Sequence, residues 1–129
     1  MTILIIDDSP ANLSLLQAIL ELKGYNVVST TCASQALKLA QEHKPELIIS
    51  DMYMPGELNG LQVLCQIRQD ASLRDIPVVI TTAGPTETIY QDLLDAGVDE
   101  LVRLPVLPQT WWEVVANYTA LPAHSSHAS

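Results

Sequence analysis

The stretch Leu47–Pro55, LIISDMYMP, constrains the fold more than any other part of the chain. Leu47-Ile48-Ile49 is apolar without alternation and too short for a helix of its own, the pattern of a parallel strand buried on both faces. The run ends in Ser50-Asp51, and Pro55, which has no backbone N–H, forbids further regular pairing. Open α/β sheets place their ligand sites at the C-terminal ends of such strands, so Asp51 is the first candidate functional residue. A strand-end Asp that merely caps the next turn is the plain alternative. Weighing against it, a second apolar run, Thr2–Asp7, ends in the acids Asp7-Asp8 in the same way.

The rest of the chain alternates strands with helices. Ser9-Pro10 is a helix start, since Ser accepts a backbone N–H and Pro tolerates the first helical position. Leu15, Leu16, Ile19, Leu20 and Leu22 give the following helix a broad apolar face up to Lys23-Gly24. Tyr25–Ser29 reads as a second strand, and Ala36, Leu37, Leu39 and Ala40 mark a second helix closed near Pro45. After the Asp51 strand, Asn59-Gly60 opens a third helix carrying Leu61, Leu64, Cys65 and Ile67. Ile76–Thr82 is β-branched almost throughout and reads as the fourth strand. Pro85 is expected to open a fourth helix running through Ala96, Glu100–Leu104 to form the fifth strand, and Gln109 to about Tyr118 the last helix. Strands and helices in strict alternation, five of each, demand a parallel sheet covered on both faces: a doubly wound α/β domain. One domain over residues 1–120 is expected, and the small polar residues 121–129 are expected to be a disordered tail.

Composition excludes several functions. A net charge of −9 with six basic residues argues against nucleic acid, which needs a Lys/Arg patch, and against docking on an anionic membrane. No apolar stretch approaches the ~18–20 residues of a membrane span, and the first residues lack the basic start of a signal peptide. Cys32 and Cys65 lie far apart and read as free cytosolic thiols, which makes a cytoplasmic location the expectation. His43, His124 and His127 show no metal-ligand spacing.

The C-terminal edge of such a sheet would gather Asp7, Asp8, Asp51, Thr82 and the turn after Leu104. Carboxylates held together raise one another's pKa or recruit a cation, and an all-oxygen cluster suits Mg²⁺. Beside a metal, one carboxylate can act as nucleophile toward a phosphoryl group, forming an acyl phosphate. Thr82 is placed to offer a hydroxyl to a phosphoryl oxygen, and Ala83-Gly84 leave room for it.

Residues 2–119 resemble the response-regulator receiver domain of two-component signalling, with the flavodoxin-like fold. The resemblance rests on IIDDS at 5–9, LIISDMYMP at 47–55, Asn59-Gly60, IPVVITTAG at 76–84 and AGVDE at 96–100, specific together and in this order. It implies that Asp51 is the phosphoacceptor and that Asp7, Asp8, Asp51 and the Tyr53 backbone carbonyl hold Mg²⁺. It implies further that Thr82 is the switch hydroxyl and that a histidine kinase or histidine phosphotransfer protein donates the phosphoryl group. Such a domain is a signalling phosphoacceptor whose only catalysis is its own phosphorylation and dephosphorylation.

The sequence departs from the family in three places. Receivers usually end the fifth strand with Lys-Pro, where this chain has Leu104-Pro105. Arg103 is adjacent, but successive strand residues point to opposite faces, which makes it a poor substitute. Leu101 stands where many receivers carry an aromatic switch residue, and the segment from Pro55 to Gly60 has one extra residue. A degenerate receiver, acting as a phosphorylation-independent interaction module, is therefore the alternative. A hydrolase with an Asp nucleophile lacks its usual second acid, since Tyr53 stands there, and Asp8-Ser9-Pro10 is no phosphate cradle for a flavin. On the last helix Trp111 is expected in the core. Trp112, rotated by about 100°, is expected at the surface as an anchor for a dimer or downstream target, with Tyr90 and Leu94 beside it.

Overall fold

In the computed structural model, which describes residues 1–54 and 58–119, five short parallel strands form one sheet in the order β2-β1-β3-β4-β5. The strands are β1 (Thr2–Ile6), β2 (Asn26–Thr30), β3 (Leu47–Asp51), β4 (Val78–Thr82) and β5 (Glu100–Arg103). Between and after them run α1 (Pro10–Glu21), α2 (Ala36–His43, entered through a 3-10 turn at Ala33–Gln35), α3 (Gly60–Gln69), α4 (Tyr90–Asp95) and α5 (Pro108–Ala116). The expected doubly wound five-stranded α/β fold is thus the observed one.

Strand alternation divides the core in two. Ile3, Ile5, Leu47, Ile49, Val79 and Val102 face one way, onto Leu13 and Leu20 of α1 and Trp111 and Val115 of α5. Leu4, Ile6, Ile48, Val78 and Ile80 face the other way, onto α2, Val63, Leu64 and Ile67 of α3, and Leu93 of α4. The central strands β1, β3 and β4, packed on both sides, have no room for a polar face and so carry apolar runs, whereas the edge strands β2 and β5 keep polar residues such as Asn26 and Glu100. The order also sets a switch point between β1 and β3, because the chain leaves β1 toward one edge and returns to build the other. Asp7 follows β1 and Asp51 ends β3, so both stand at that crevice.

Two local devices fix loops at opposite ends of the sheet, one beside the crevice and one at the N-terminal ends of β4 and β5. Asn59 caps α3 reciprocally: its side chain accepts from Gln62 N at 2.9 Å, while Gln62 Oε1 accepts from Asn59 N at 2.8 Å. On the far side of the sheet, the Arg68 guanidinium donates to the carbonyls of Arg74, Ile76 and Gly97 and pairs with Asp99 at 2.8 Å. Asp99 also accepts from Val78 N at 2.7 Å, which ties the α4–β5 turn to the start of β4. Gly97 has φ +92, the left-handed region that favours glycine, and a Cβ there would sit 3.1 Å from Arg68 Nε, so the guanidinium would have to shift to admit one.

Several boundaries and faces differ from the sequence reading. The helix expected from Pro85 begins only at Tyr90. Residues 85–89 form turns in which Thr86 O accepts from Ile89 N and Tyr90 N, and the β-branched Thr86, Thr88 and Ile89 are poor helix formers. In α1 the buried residues are Leu13, Ile19 and Leu20, whereas Leu15 and Leu22 are 64% and 78% exposed. Trp111 is in the core as expected. Trp112 is not a free surface anchor: it is half-buried, its Nε1 donates to Ile19 O at 2.8 Å, and Lys23 Nζ lies 4.5 Å above its ring. The closeness of α1 to α5 recruits it. Tyr90 and Leu94 do lie at the surface. The reading of 121–129 as a tail, and Pro55–Glu57 within the lengthened loop, lie outside the described residues.

Candidate functional site

Asp7, Asp8 and Asp51 each offer a carboxylate oxygen, and these oxygens all lie within 4.8 Å of one another. The sequence reading of a three-acid cluster is therefore met in space. The acids differ in surroundings: Asp7 is buried, Asp51 half-buried and Asp8 exposed. Asp7 Oδ1 accepts from Ser9 N at 2.9 Å, and Ser9 in turn caps α1 by accepting from Asn12 N at 3.3 Å. One carboxylate thus links the end of β1 to the start of the helix.

Burial is the main force raising the Asp51 pKa, to about 6, with the charges of Asp7 and Asp8 adding to it; the N–H groups of Tyr53 and Met52 oppose the shift. Burial also raises Asp7, against hydrogen bonds from Ser9 and Asn12. The sole ion pair among the described residues is Arg68–Asp99, so no basic side chain pairs with the acidic cluster. Three hard oxygen donors on a half-open edge, lacking an internal countercharge, fit a small divalent cation such as Mg²⁺.

The floor of the site is set by close backbone approach. Asp51 pairs with Thr81 in the β3–β4 register, and Met52 N donates to Thr81 O at 2.8 Å. Gly60 N then donates to Met52 O at 2.8 Å. A Cβ on Gly60 would fall 2.5 Å from Asp51 O and 2.8 Å from Met52 Cα, so only glycine lets α3 start here.

Thr82 lies one residue beyond the Asp51 register partner, fully buried, and its Oγ1 accepts from Gly84 N at 3.1 Å. Tyr53 is 52% exposed beside Asp51. Leu104 packs with Val102 on the face of α1 and α5, whereas Arg103 is exposed and pairs with Thr82, so Arg103 does not stand in for a lysine. Leu101 pairs with Ile80 and packs on the α2–α4 side of the core. Two further residues at the site carry no conspicuous sequence signal. Asn12 joins Asp7 through a spacing of five residues across a helix start, and Thr81 lies beside the more conspicuous Thr82.

The fold and the acidic edge define a class: a doubly wound α/β domain with an acidic cluster at its switch point. The response regulator receiver domain family matches residues 3–115, and the chain belongs to that family. It is 30% identical over 117 residues to the polar-differentiation response regulator DivK of Brucella ovis, covering 91% of this chain and 94% of that protein. Among solved structures, the chemotaxis protein CheY4 of Vibrio cholerae matches with a TM-score of 0.86 at 23% identity, over 92% of this chain and 98% of that one. The receiver domain of a Pseudomonas aeruginosa PAO1 sensor histidine kinase, which has magnesium coordinated in its active-site cleft, matches with a TM-score of 0.82 at 24% identity, over 91% and 95% of the two chains. The protein is therefore a receiver domain of two-component signalling, a family that accepts phosphoryl groups at an acidic Mg²⁺ site and signals through protein contacts. No helix among the described residues is long and apolar enough to cross a membrane.

Proposed function

We infer that residues 1–120 form a phosphoryl-accepting receiver unit in which Asp51 is the phosphoacceptor. The single observation that carries this reading is the convergence of the Asp7, Asp8 and Asp51 oxygens within 4.8 Å at the β1–β3 switch point. A carboxylate oxygen of Asp51 attacks the phosphorus of a phosphohistidine on a histidine kinase or phosphotransfer protein. The O–P bond forms, the P–N bond breaks, and the leaving imidazole regains a proton from water. Asp7, Asp8, Asp51 and the Tyr53 carbonyl would hold Mg²⁺, whose charge when bound neutralises the transferring oxygens. Thr82 leaves Gly84 N to donate its hydroxyl to the phosphoryl oxygen, and this exchange begins the conformational response. Leu104 leaves that group without the usual ammonium, so switching is weaker than in receivers that carry a lysine. Signal leaves through protein contacts of α4, β5 and α5, with Tyr90 and Leu94 of α4 and Leu107 at the start of α5 exposed there. The expected location is the cytoplasm.

The degenerate reading is not favoured, because the entire acidic cluster is assembled. Titration of Mg²⁺, then of beryllofluoride in excess Mg²⁺, followed by amide NMR with Asp51→Asn as control, tests the reading. Saturable beryllofluoride shifts reaching Thr82 and α5, absent in the control, are the expected result. Mg²⁺ binding without any beryllofluoride response would overturn phosphoryl acceptance.

A further inference from the structure

Leu104, which stands where receivers usually carry a lysine, also lines a space beside the acids. Between α1 and Leu104–Val106 lies a cavity of about 340 Å³, within the range of small-ligand sites. Leu16 and Ile19 of α1, Leu104 and the Trp111 indole give it apolar walls, while Asp7, Asp51, Thr81 and Asn12, whose amide is turned to Asp7, supply polar lining. No Lys, Arg or His lines it.

Thr81 is the informative residue. It is only 4% exposed and stands two residues after Val79, hence on the α1–α5 face of the sheet where the cavity opens. Its hydroxyl makes no hydrogen bond among the described residues, yet no fully buried side-chain oxygen there lacks a partner. The Thr81 oxygen is therefore open to the cavity rather than sealed in the core. An unpaired hydroxyl and two carboxylates at one apolar-walled space specify a ligand with a cationic hydrogen-bond donor at one end and a hydrocarbon body. An anion is repelled by the carboxylates. A metal ion on the same acids makes no use of the apolar walls, so Mg²⁺ and an organic cation compete for Asp7 and Asp51 while only the latter fills the cavity.

We propose that this cavity binds a small organic ammonium, an alkylamine or arylalkylamine, with its head group on Asp7, Asp51 and the Thr81 hydroxyl and its apolar body against Leu16, Leu104 and Trp111. The site requires only the cavity and its charges, so it holds whether or not Asp51 accepts a phosphoryl group.

The test titrates the unphosphorylated, metal-free chain with n-hexylammonium, hexanol and hexanoate, followed by NMR of methyl groups and of the Trp111 indole. Hexylammonium is expected to shift Leu16, Leu104 and Trp111 saturably by about 10 mM, at least about tenfold more tightly than hexanol, with hexanoate inert. Thr81→Val, nearly isosteric, is expected to weaken hexylammonium about fivefold while leaving the spectrum otherwise unchanged. Leu104→Lys fills the cavity with a tethered ammonium and is expected to abolish the response. The proposal is overturned by no saturable shift at the cavity, by hexanol binding as tightly as hexylammonium, or by unchanged binding in a folded Leu104→Lys protein.

Discussion

Leu104 and Asp51 stand on the same face of the sheet, Leu104 following Val102 and Asp51 following Ile49, while Arg103 pairs with Thr82 on the opposite face. The one basic residue adjacent in sequence is therefore turned away from the acids. Leu104→Lys places an ammonium on the correct face, and a charged hydrogen bond of about 1.5–3 kcal/mol raises beryllofluoride affinity in Mg²⁺ by about 10–100-fold. Arg103→Ala changes that affinity less than about twofold, because an exposed charge across the sheet contributes little. Amide NMR titration of both variants checks the pair of outcomes.

The acidic cluster makes the metal-free fold sensitive to pH in the direction opposite to most carboxylates. Asp51 is pushed up to about 6 in the folded chain, so the native state holds a proton that the unfolded chain has released. Stability is greatest below the unfolded carboxylate pKa, falls as pH rises toward about 6, and is flat above it. Urea melts in EDTA should show a loss of about 1–2 kcal/mol across that window, less than the full shift because solvent screens the half-open carboxyl, and largely absent in Asp51→Asn. At pH 7 that variant should be the more stable protein without metal. Added Mg²⁺ should stabilise the parent and not the variant, with the metal effect fading below pH 6 as protons compete for Asp51.

Gly60 governs where Asp51 sits. Its missing side chain is what permits Asp51 O and Met52 Cα to lie within the reach of a Cβ. Gly60→Ala must push α3 away from the end of β3, which costs about 1–3 kcal/mol. Because Asp51 is itself on the displaced strand end, Mg²⁺ affinity should fall by more than about tenfold under conditions where the variant remains folded. Isothermal titration alongside a urea melt separates the two effects. A stability loss with unchanged Mg²⁺ affinity would show that the strand end is rigid.

The fold was legible because the central strands β1, β3 and β4 carry apolar runs and each helix has a periodic face, so the order of elements follows largely from pattern. The acidic cluster was legible for the same reason, since Asp7, Asp8 and Asp51 terminate such runs. What pattern does not carry is which residues of a long apolar face meet the sheet. Leu15 and Leu22 belong to the same stripe as Ile19 in sequence, yet both are exposed, because α1 rests on Leu13, Ile19 and Leu20. Trp112 is half-buried through a partner distant in sequence, the carbonyl of Ile19, which helical periodicity does not encode. The Pro85 helix start was overridden by the β-branched residues that follow it. Thr81 and the cavity beside it depend on the width left between α1 and β5, which no local spacing encodes.

Arg68 ties together three backbone segments far from the acids, and this separates stability from function. Its guanidinium donates to the carbonyls of Arg74, Ile76 and Gly97 as well as to Asp99. Truncation leaves those carbonyls to water and Asp99 without its partner, so Arg68→Ala is expected to lower unfolding stability by about 2–3 kcal/mol. Asp99→Asn keeps an acceptor for Val78 N but loses the charge, and should cost about 1 kcal/mol. Neither side chain hydrogen-bonds to Asp7, Asp8 or Asp51, so Mg²⁺ and beryllofluoride affinities measured on the folded variants should match the parent within about twofold. Urea melts and NMR titrations on the same samples read both quantities. A large drop in beryllofluoride affinity with the fold intact would mean that the α4–β5 turn anchored by Arg68 takes part in the response at Asp51.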